Sequence, residues 1–208
     1  MIRLRSPHRR ASTDDAAAMA ELGNMAGDGL PLYWWTKSAG PGEDPWDIGR
    51  QRAKRSNGSF SYRNTIVREA RGKIAAVLIG YPLPDTPEPI DYEELPAIVV
   101  PLQQLEDLVP GTWYVNVLAT YPEQRGKGYG TELLKIAERL AFDSKRRGMS
   151  IVVSDANVGA RRLYERCGYA QQATRPMRKN GWRNPGRSWV LLVRTFDRLH
   201  KGAGRDMI

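Results

Sequence analysis

The sequence predicts a mixed α/β or α+β fold in which helices flank one central sheet. Strand-like and helix-like stretches interleave in the order strand, helix, two strands, strand, helix, strand, helix, two strands, which amounts to about seven strands. With 208 residues, of which 41% are hydrophobic, the chain has enough apolar material for a core. We predict a single domain over residues 1–199 with an insertion at about residues 82–111, followed by a flexible tail at residues 200–208.

The strands are predicted from apolar runs with an alternating or continuous pattern. Residues 2–5 alternate apolar and charged side chains, whereas residues 73–81 are apolar on both faces, which is typical of a central strand. The short turn at residues 70–72 predicts a hairpin. The predicted strands cover residues 2–5, 65–69, 73–81, 113–119, 149–154, 169–178 and 188–196.

The helices are predicted from apolar residues at helical spacing and from residues typical of helix ends. Ser12, Thr13 and Asp14 can cap a first helix that runs to about residue 25. The longest helix has basic residues in its last turn and is predicted to end at Gly148. Further helices are predicted at residues 46–55, within 95–108, at 128–147 and at 157–166.

The formal net charge of +9 and the isoelectric point of about 9.8 favour an anionic partner, either nucleic acid or a polyphosphate cofactor, although a merely solvated basic surface is an alternative. The single cysteine, Cys167, excludes a disulfide within the chain and fits a reducing compartment. His8 and His200 lie near the two ends, so no metal site is predicted. Because the sequence shows neither a secretory signal nor a long apolar run, we predict a cytoplasmic protein that does not enter a membrane.

The loop at residues 124–131 lies between a strong predicted strand and the longest predicted helix. Backbone amides at a helix N-terminus attract anions, and glycines let phosphate oxygens approach those amides. Arg125 and Lys127 add positive charge. Glycines 126, 128 and 130 match neither the phosphate-binding P-loop nor the dinucleotide pattern, so the loop predicts a diphosphate site of another kind. A plain glycine-rich connection is the alternative.

This loop resembles the acyl-CoA pyrophosphate loop of the GNAT superfamily of N-acetyltransferases, Gln/Arg-x-x-Gly-x-Gly/Ala, through Arg125, Gly128 and Gly130. Residues 157–169 resemble the second cofactor motif of the same family, Asn-x-x-Ala-x-x-x-Tyr ending in Gly-Phe/Tyr. The resemblance implies a mostly antiparallel sheet that splays between strands 4 and 5. It also implies that acetyl-CoA is the acyl donor and that the acceptor is a primary amine, which attacks the thioester directly.

The same resemblance implies the cofactor site. Backbone groups near Leu118 and Thr120 would pair with the pantetheine arm, and an amide near Leu118 or Ala119 would polarise the thioester carbonyl. Ordinary sheet core is the alternative for these strand residues, and a helix N-cap is the alternative for Asn157. The implied cofactor residues are Leu118, Ala119, Thr120, Arg125, Gly126, Lys127, Gly128, Tyr129, Gly130, Thr131, Asn157 and Ala160.

The resemblance also implies catalytic roles. Tyr164 would protonate the departing thiolate, with a packed aromatic side chain as the alternative. Some family members have a glutamate base where this chain has Tyr114, so a direct carboxylate base is not predicted there. Asn116 can orient a water molecule but cannot act as a base. Strand periodicity predicts that Tyr114, Asn116 and Leu118 share one face.

The acceptor site is predicted from residues outside these motifs. Tyr33, Trp34 and Tyr114 are candidates for its wall, with aromatic core packing as the alternative. Asp28, Glu43 and Asp44 can attract an ammonium group or lie in a solvated loop. The acceptor is predicted to be a small molecule or a protein amine, and a homodimer is possible.

Two other functions compete with catalysis. One is a non-catalytic acyl-CoA sensor. The other is a nucleic-acid-associated protein, which is weighted lower because no recognition motif accompanies the charge. Its candidate residues are Arg50, Arg52, Lys54, Arg55 and the basic residues of 175–187. Trp182 and Trp189 are the candidates for stacking on nucleic-acid bases.

Overall fold

The computed structural model describes residues 2–87 and 89–196, so the predicted tail at residues 200–208 lies outside the described residues. Seven strands form one sheet in the order β1-β2-β3-β4-β5-β7-β6. Every neighbouring pair is antiparallel except β4 and β5, which are parallel, and this confirms the predicted mixed sheet. The strands are β1 (His8–Arg10), β2 (Thr65–Ala70), β3 (Lys73–Pro82), β4 (Trp113–Thr120), β5 (Gly148–Ser154), β6 (Ala170–Pro176) and β7 (Ser188–Thr195).

Helices cover both faces of the sheet. The helices are α1 (Ala16–Ala26), α2 (Leu30–Ser38), α3 (Pro45–Ala53), α4 (Val100–Glu106), α5 (Tyr129–Asp143) and α6 (Val158–Arg166). On one face α5 and α6 bury Leu133, Ala137 and Tyr164 against the sheet. On the other face α1 and α3 pack on β2 to β4, and α2 and α4 belong to a second apolar cluster with β7. None of the helices in the described part of the chain is long and apolar enough to cross a lipid bilayer.

The first strand lies at His8–Arg10, so its prediction at residues 2–5 is wrong. Ile2 and Leu4 do contact the core, but without strand pairing. The true strand is charged and is held by ion pairs: Arg9 Nη1 lies 2.7 Å from Asp15 Oδ2, and Arg9 Nε lies 2.7 Å from Glu69 Oε1. Hydropathy cannot detect a strand that is stabilised in this way.

Helix α5 ends at Asp143, four residues before its predicted end at residue 147. Lys145 adopts a positive φ of 56°, and the Arg146 amide donates back to Ala141 O at 2.9 Å, which closes the helix as a glycine usually does. The prediction that Gly148 ends the helix is therefore wrong. Gly148 begins β5, where a Cβ atom would lie 2.5 Å from Arg194 O on β7.

The aromatic stretch after residue 29 forms α2, a helix that the sequence pattern did not predict. Trp35 is 3% exposed and meets Trp46 edge-on, with ring centroids 5.8 Å apart. Gly49 permits this contact, because a Cβ there would lie 2.6 Å from the Trp35 ring. The segment predicted to be an insertion contains α4, which is shorter than the predicted helix and packs near β6 and β7.

Candidate active site

Strands β4 and β5 separate half-way along their length. They pair only through Trp113 with Met149, Tyr114 with Ser150, and Val115 with Ile151. On the other edge of β4, Ile79 lies opposite Val117 and Gly80 opposite Val115, so Asn116 is an extra residue that forms a β-bulge. The bulge coincides with the end of the pairing, and a gap opens in the sheet beyond it. The predicted splay between strands 4 and 5 is thus confirmed.

The bulge changes which way the β4 side chains point. Tyr114 packs in the cluster on the α2 and α4 side of the sheet, whereas Leu118 packs in the cluster on the α5 and α6 side. The prediction that Tyr114, Asn116 and Leu118 share one face is therefore wrong for Leu118. One extra residue shifts the strand periodicity by one position, so residues after the bulge exchange faces.

A cleft of about 840 Å³ opens at this gap. All the predicted cofactor residues line it except Lys127, whose ammonium group donates to Glu123 O at 3.2 Å and to Gln124 Oε1 at 2.8 Å. Lys127 thus folds back on its own loop. The predicted residues that line the cleft are Leu118, Ala119, Thr120, Arg125, Gly126, Gly128, Tyr129, Gly130, Thr131, Asn157 and Ala160.

The start of α5 forms one end of the cleft. Gly126 and Gly128 have φ values of 76° and 84°, and a Cβ at either position would meet no atom within 4 Å. The first amide of α5 that donates within the helix is that of Glu132, to Gly128 O at 3.0 Å. The amides from Gly128 to Thr131 precede that bond and have no acceptor inside the helix. Backbone amides therefore reach an open, positively polarised surface that fits a diphosphate.

Gly130 has a different role from its two neighbours. A Cβ at this position would lie 2.9 Å from Leu163 Cδ2, so the missing side chain brings α5 close to α6. Asn157 caps α6, because its Oδ1 accepts a hydrogen bond from the Ala160 amide at 3.1 Å, and the same residue lines the cleft. Arg125 and Arg166 bring positive charge to the lining. Arg166 was not among the predicted cofactor residues.

Tyr164 lies behind the wall of the cleft. It is 4% exposed and does not line the cleft, although the preceding residue Leu163 does. Its ring is 5.8 Å from that of Tyr169, centroid to centroid. Burial raises the pKa of the Tyr164 hydroxyl well above its ordinary value, so this group stays protonated at neutral pH. This position fits the packed-aromatic alternative, and the proton-donating role stays a prediction.

Of the predicted acceptor wall, Tyr114 is buried, whereas Tyr33 and Trp34 are partly buried. Tyr33, Trp34 and Tyr114 belong to one apolar cluster and do not line the cleft, and their proposed contact with an acceptor stays a prediction. The same cluster holds Trp182 and Trp189, which stack on each other and are 5% and 6% exposed. The prediction that these two indoles stack on nucleic-acid bases is wrong, because their faces are buried inside the protein.

The turn between α1 and α2 also lines the cleft; the sequence offered its Asp28 as a residue that can attract an ammonium group, but did not predict that it lies beside the cofactor residues. Asp28 lines the cleft together with Met25 and Ala26, facing Pro185 of the loop between β6 and β7. Trp182 Nε1 donates to Asp28 O at 3.2 Å, and Asn184 Nδ2 donates to Asp28 Oδ2 at 3.4 Å. The sequence indicates a turn here, but only the contact with a loop more than 150 positions away brings that turn to the gap.

A partly buried carboxylate lies outside this cleft, on α4. Glu106 lines a cavity of about 290 Å³ with Tyr81 and Asp107, and burial raises its pKa to about 7. The folded state therefore holds this proton more tightly than the unfolded chain, whose glutamate has the ordinary value of 4.5. The resulting stabilisation is complete below pH 4.5 and is lost as the pH rises through 7.

We expect Glu106→Gln to leave the free energy of unfolding unchanged near pH 4 and to raise it, relative to the parent protein, by at most about 3 kcal/mol at pH 8. The glutamine stays neutral at every pH and can still accept the hydrogen bond from Tyr81. Urea unfolding at several pH values measures the difference. Glu94→Gln, which removes an exposed carboxylate from the same segment, should show no such trend. If the free energy of unfolding of Glu106→Gln differed from that of the parent protein by the same amount at every pH, the raised pKa of Glu106 would be contradicted.

The chain is similar to proteins of a known family. The acetyltransferase (GNAT) family profile matches residues 30–169, well over half of the chain. The chain belongs to the GNAT acetyltransferase family. GNAT enzymes use acetyl-CoA as the acetyl donor and act on amines of small molecules or proteins, and the predicted membership and donor are confirmed.

Solved structures share the GNAT fold at low sequence identity. An acetyltransferase crystal structure has 19% identity and a TM-score of 0.64, covering 92% of this chain and 100% of the other. An N-acetyltransferase from Staphylococcus aureus Mu50 has 19% identity and a TM-score of 0.62, covering 90% and 100%. A polyamine N-acetyltransferase from Drosophila melanogaster, which forms N-acetylagmatine, has 16% identity and a TM-score of 0.60, covering 91% and 99%. Curated protein sequences gave no match.

Proposed function

We propose that this GNAT protein is an N-acetyltransferase that transfers an acetyl group from acetyl-CoA to a primary amine by direct attack on the thioester. One observation carries the proposal: the open glycine turn at the start of α5 and the gap beyond Asn116 line the same cleft. The turn suits the diphosphate of coenzyme A, and the gap suits its pantetheine arm. A cleft that only bound an anion would not need a sheet opened beside it.

The residues that would hold acetyl-CoA follow from this geometry. Amides from Gly126 to Thr131 would bind the diphosphate, with Arg125 and Arg166 adding charge. Beyond Val115, the edge of β4 that faces β5 has no paired strand among the described residues, so its backbone groups can pair with the pantetheine amides. Both requirements of the ligand, an anion site and an extended edge, are met by residues already lining one cleft.

The chemistry requires the ammonium group of the acceptor to lose two protons and the leaving sulfur to gain one. Bound acetyl-CoA supplies an acetyl group activated as a thioester. An amide near Leu118 would polarise its carbonyl, the amine nitrogen would bond to the carbonyl carbon, and the C–S bond would break. Tyr164, which lies behind the cleft wall, would give its hydroxyl proton to the sulfur and regain one from solvent. Asn116, at the bulge beside the gap, would orient water that takes one proton from the ammonium group before the attack and a second proton after it. Tyr114 is buried and not acidic, so the proton does not pass to that position.

The test is release of free thiol from acetyl-CoA by the purified protein with a panel of amines. The panel contains agmatine, spermidine, 1,5-diaminopentane, an aminoglycoside and a lysine peptide; agmatine is included because one structural neighbour forms N-acetylagmatine. We expect thiol release with at least one amine and an N-acetylated product by mass spectrometry. Coenzyme A affinity without thiol release from any amine would instead support the acyl-CoA sensor. Salt-dependent DNA binding without coenzyme A affinity would support the nucleic-acid alternative.

A further inference from the structure

The lining of the cleft carries charges of both signs. Arg125 and Arg166 lie in the part lined by the starts of α5 and α6 and by the end of α6. Asp28 lies in the part lined by the turn between α1 and α2. Among the described residues, Asp28 is the one carboxylate that lines this cleft, and none of them forms an ion pair with it. The donor's phosphates account for the arginines but leave the carboxylate without a role.

Asp28 is held in place rather than free on the surface. Its φ of 50° lies in the left-handed region, which aspartate adopts more readily than most residues, and it belongs to the turn that ends α1, where the Gly29 amide donates to Asn24 O. Trp182 donates to its carbonyl oxygen, and Asn184 donates to its carboxylate. Tyr33 adds a third link between the same two segments, because its hydroxyl donates to Asn180 O. The turn that carries the carboxylate is therefore held by hydrogen bonds to a distant part of the chain.

The environment of this carboxylate favours a cation. Asp28 is exposed at the rim of the cleft, yet partial burial raises the pKa of its carboxyl group above the ordinary value, despite the hydrogen bond from Asn184. A partly desolvated carboxylate without a cationic partner is more costly than a paired one. A positively charged group that entered the cleft would remove that cost.

Asp28 also lies on the side of the sheet from which an acceptor can approach. Helices α1 and α2 pack on the face opposite to α5 and α6. The diphosphate end of the cleft is at the start of α5, so a donor whose arm passes through the gap between β4 and β5 would present its acyl end toward the α1 face. A carboxylate on that face would meet the acceptor and not the phosphates.

We propose that Asp28 binds the ammonium group of the acceptor, and that the acceptor is therefore a cationic alkyl amine. This inference rests on the proposed N-acetyltransferase function and concerns acceptor binding, before any bond changes. Alkyl amines are mostly protonated at neutral pH, since their pKa is near ~10. The ammonium group that makes such an amine a poor nucleophile in water is the feature that Asp28 would recognise.

The test is Asp28→Asn, measured with the best acceptor of the amine panel. Asparagine tolerates a left-handed φ and keeps the shape of the side chain, so the turn should persist. We expect the KM for the amine to rise by about 10-fold to 100-fold, as is typical of losing one charged hydrogen bond. The KM for acetyl-CoA should change less than about twofold. Asp14→Asn, which removes an exposed carboxylate near the start of α1, is the matched control and should behave like the parent.

The dependence of the amine KM on ionic strength distinguishes recognition of charge by Asp28 from a purely structural role of this residue. The amine KM of the parent protein should rise with ionic strength, and that of Asp28→Asn should rise much less, because screening acts only on the charge pair. An unchanged amine KM in Asp28→Asn, or an equal salt response in both proteins, would overturn the inference while leaving N-acetyl transfer intact. Failure of the parent protein to acetylate any amine of the panel would instead overturn the proposed function, and this inference with it.

Discussion

Replacing Gly128 with valine is expected to raise the dissociation constant for coenzyme A by about 100-fold or more. Gly128 has a φ of 84° at the cap of α5, and its Cβ would point into open space beside the amides that start the helix. A branched side chain there would keep phosphate oxygens away from those amides. Losing two charge-assisted hydrogen bonds, each worth roughly 1.5–3 kcal/mol, gives an effect of this size. Titration calorimetry with coenzyme A measures it.

Gly58→Val is the matched control for this experiment. Gly58 has a φ of 81°, its Cβ would also meet no atom within 4 Å, and it does not line the cleft. Valine at either position therefore introduces similar backbone strain. Both variants should lose some thermal stability, but only Gly128→Val should lose affinity for coenzyme A. Equal affinities in the two variants would mean that the turn before α5 is not the anchor for the diphosphate.

The parts of the site that the sequence predicted well depend on local chemistry. Gly126 and Gly128 precede a helix with a clear apolar stripe, and an open N-terminus follows directly from that order of residues. Asn157 is a good N-cap residue at the start of α6, and it caps that helix as expected. Contacts of this kind reach only a few residues along the chain, so a sequence pattern contains the information that defines them.

The bulge at Asn116 shows where local patterns stop being sufficient. Strand β4 reads as a regular apolar run, and nothing in residues 113–120 indicates that one residue has no partner on β3. The bulge is a property of the register between two strands that are separated by the segment at residues 82–111. Predicting the face of Leu118 therefore required knowledge of the pairing, which the strand alone does not contain.

The sequence offered Asp28 and Tyr164 as candidate site residues, but for a related reason it did not predict where each lies relative to the cleft. Asp28 lies between two glycines in what the sequence shows as an ordinary turn, and its place in the cleft depends on Trp182 and Asn184. Tyr164 matches a family motif, but its depth depends on how α6 packs against β5 and β7, and it lies behind the cleft wall. Long-range packing decides both positions, and with them the functional roles that we propose.

Changing Tyr164 to phenylalanine is expected to lower kcat by about 100-fold to 10,000-fold, while the affinity for coenzyme A stays nearly constant. The hydroxyl is the group proposed to protonate the leaving sulfur, and burial keeps it protonated. The ratio of the two kcat values should stay constant from pH 6 to 9, because Tyr164 does not ionise in that range.

Tyr169→Phe distinguishes this chemical role from packing. Tyr169 is equally buried beside Tyr164, and its hydroxyl donates to Met149 Sδ at 3.7 Å. Both substitutions remove one buried hydroxyl from the same apolar cluster, so both should change the stability of the protein by a similar amount. Only the loss of the Tyr164 hydroxyl should slow the release of thiol. If the two variants lose the same fraction of kcat, or if neither loses any, Tyr164 acts as a packed side chain and another group protonates the sulfur.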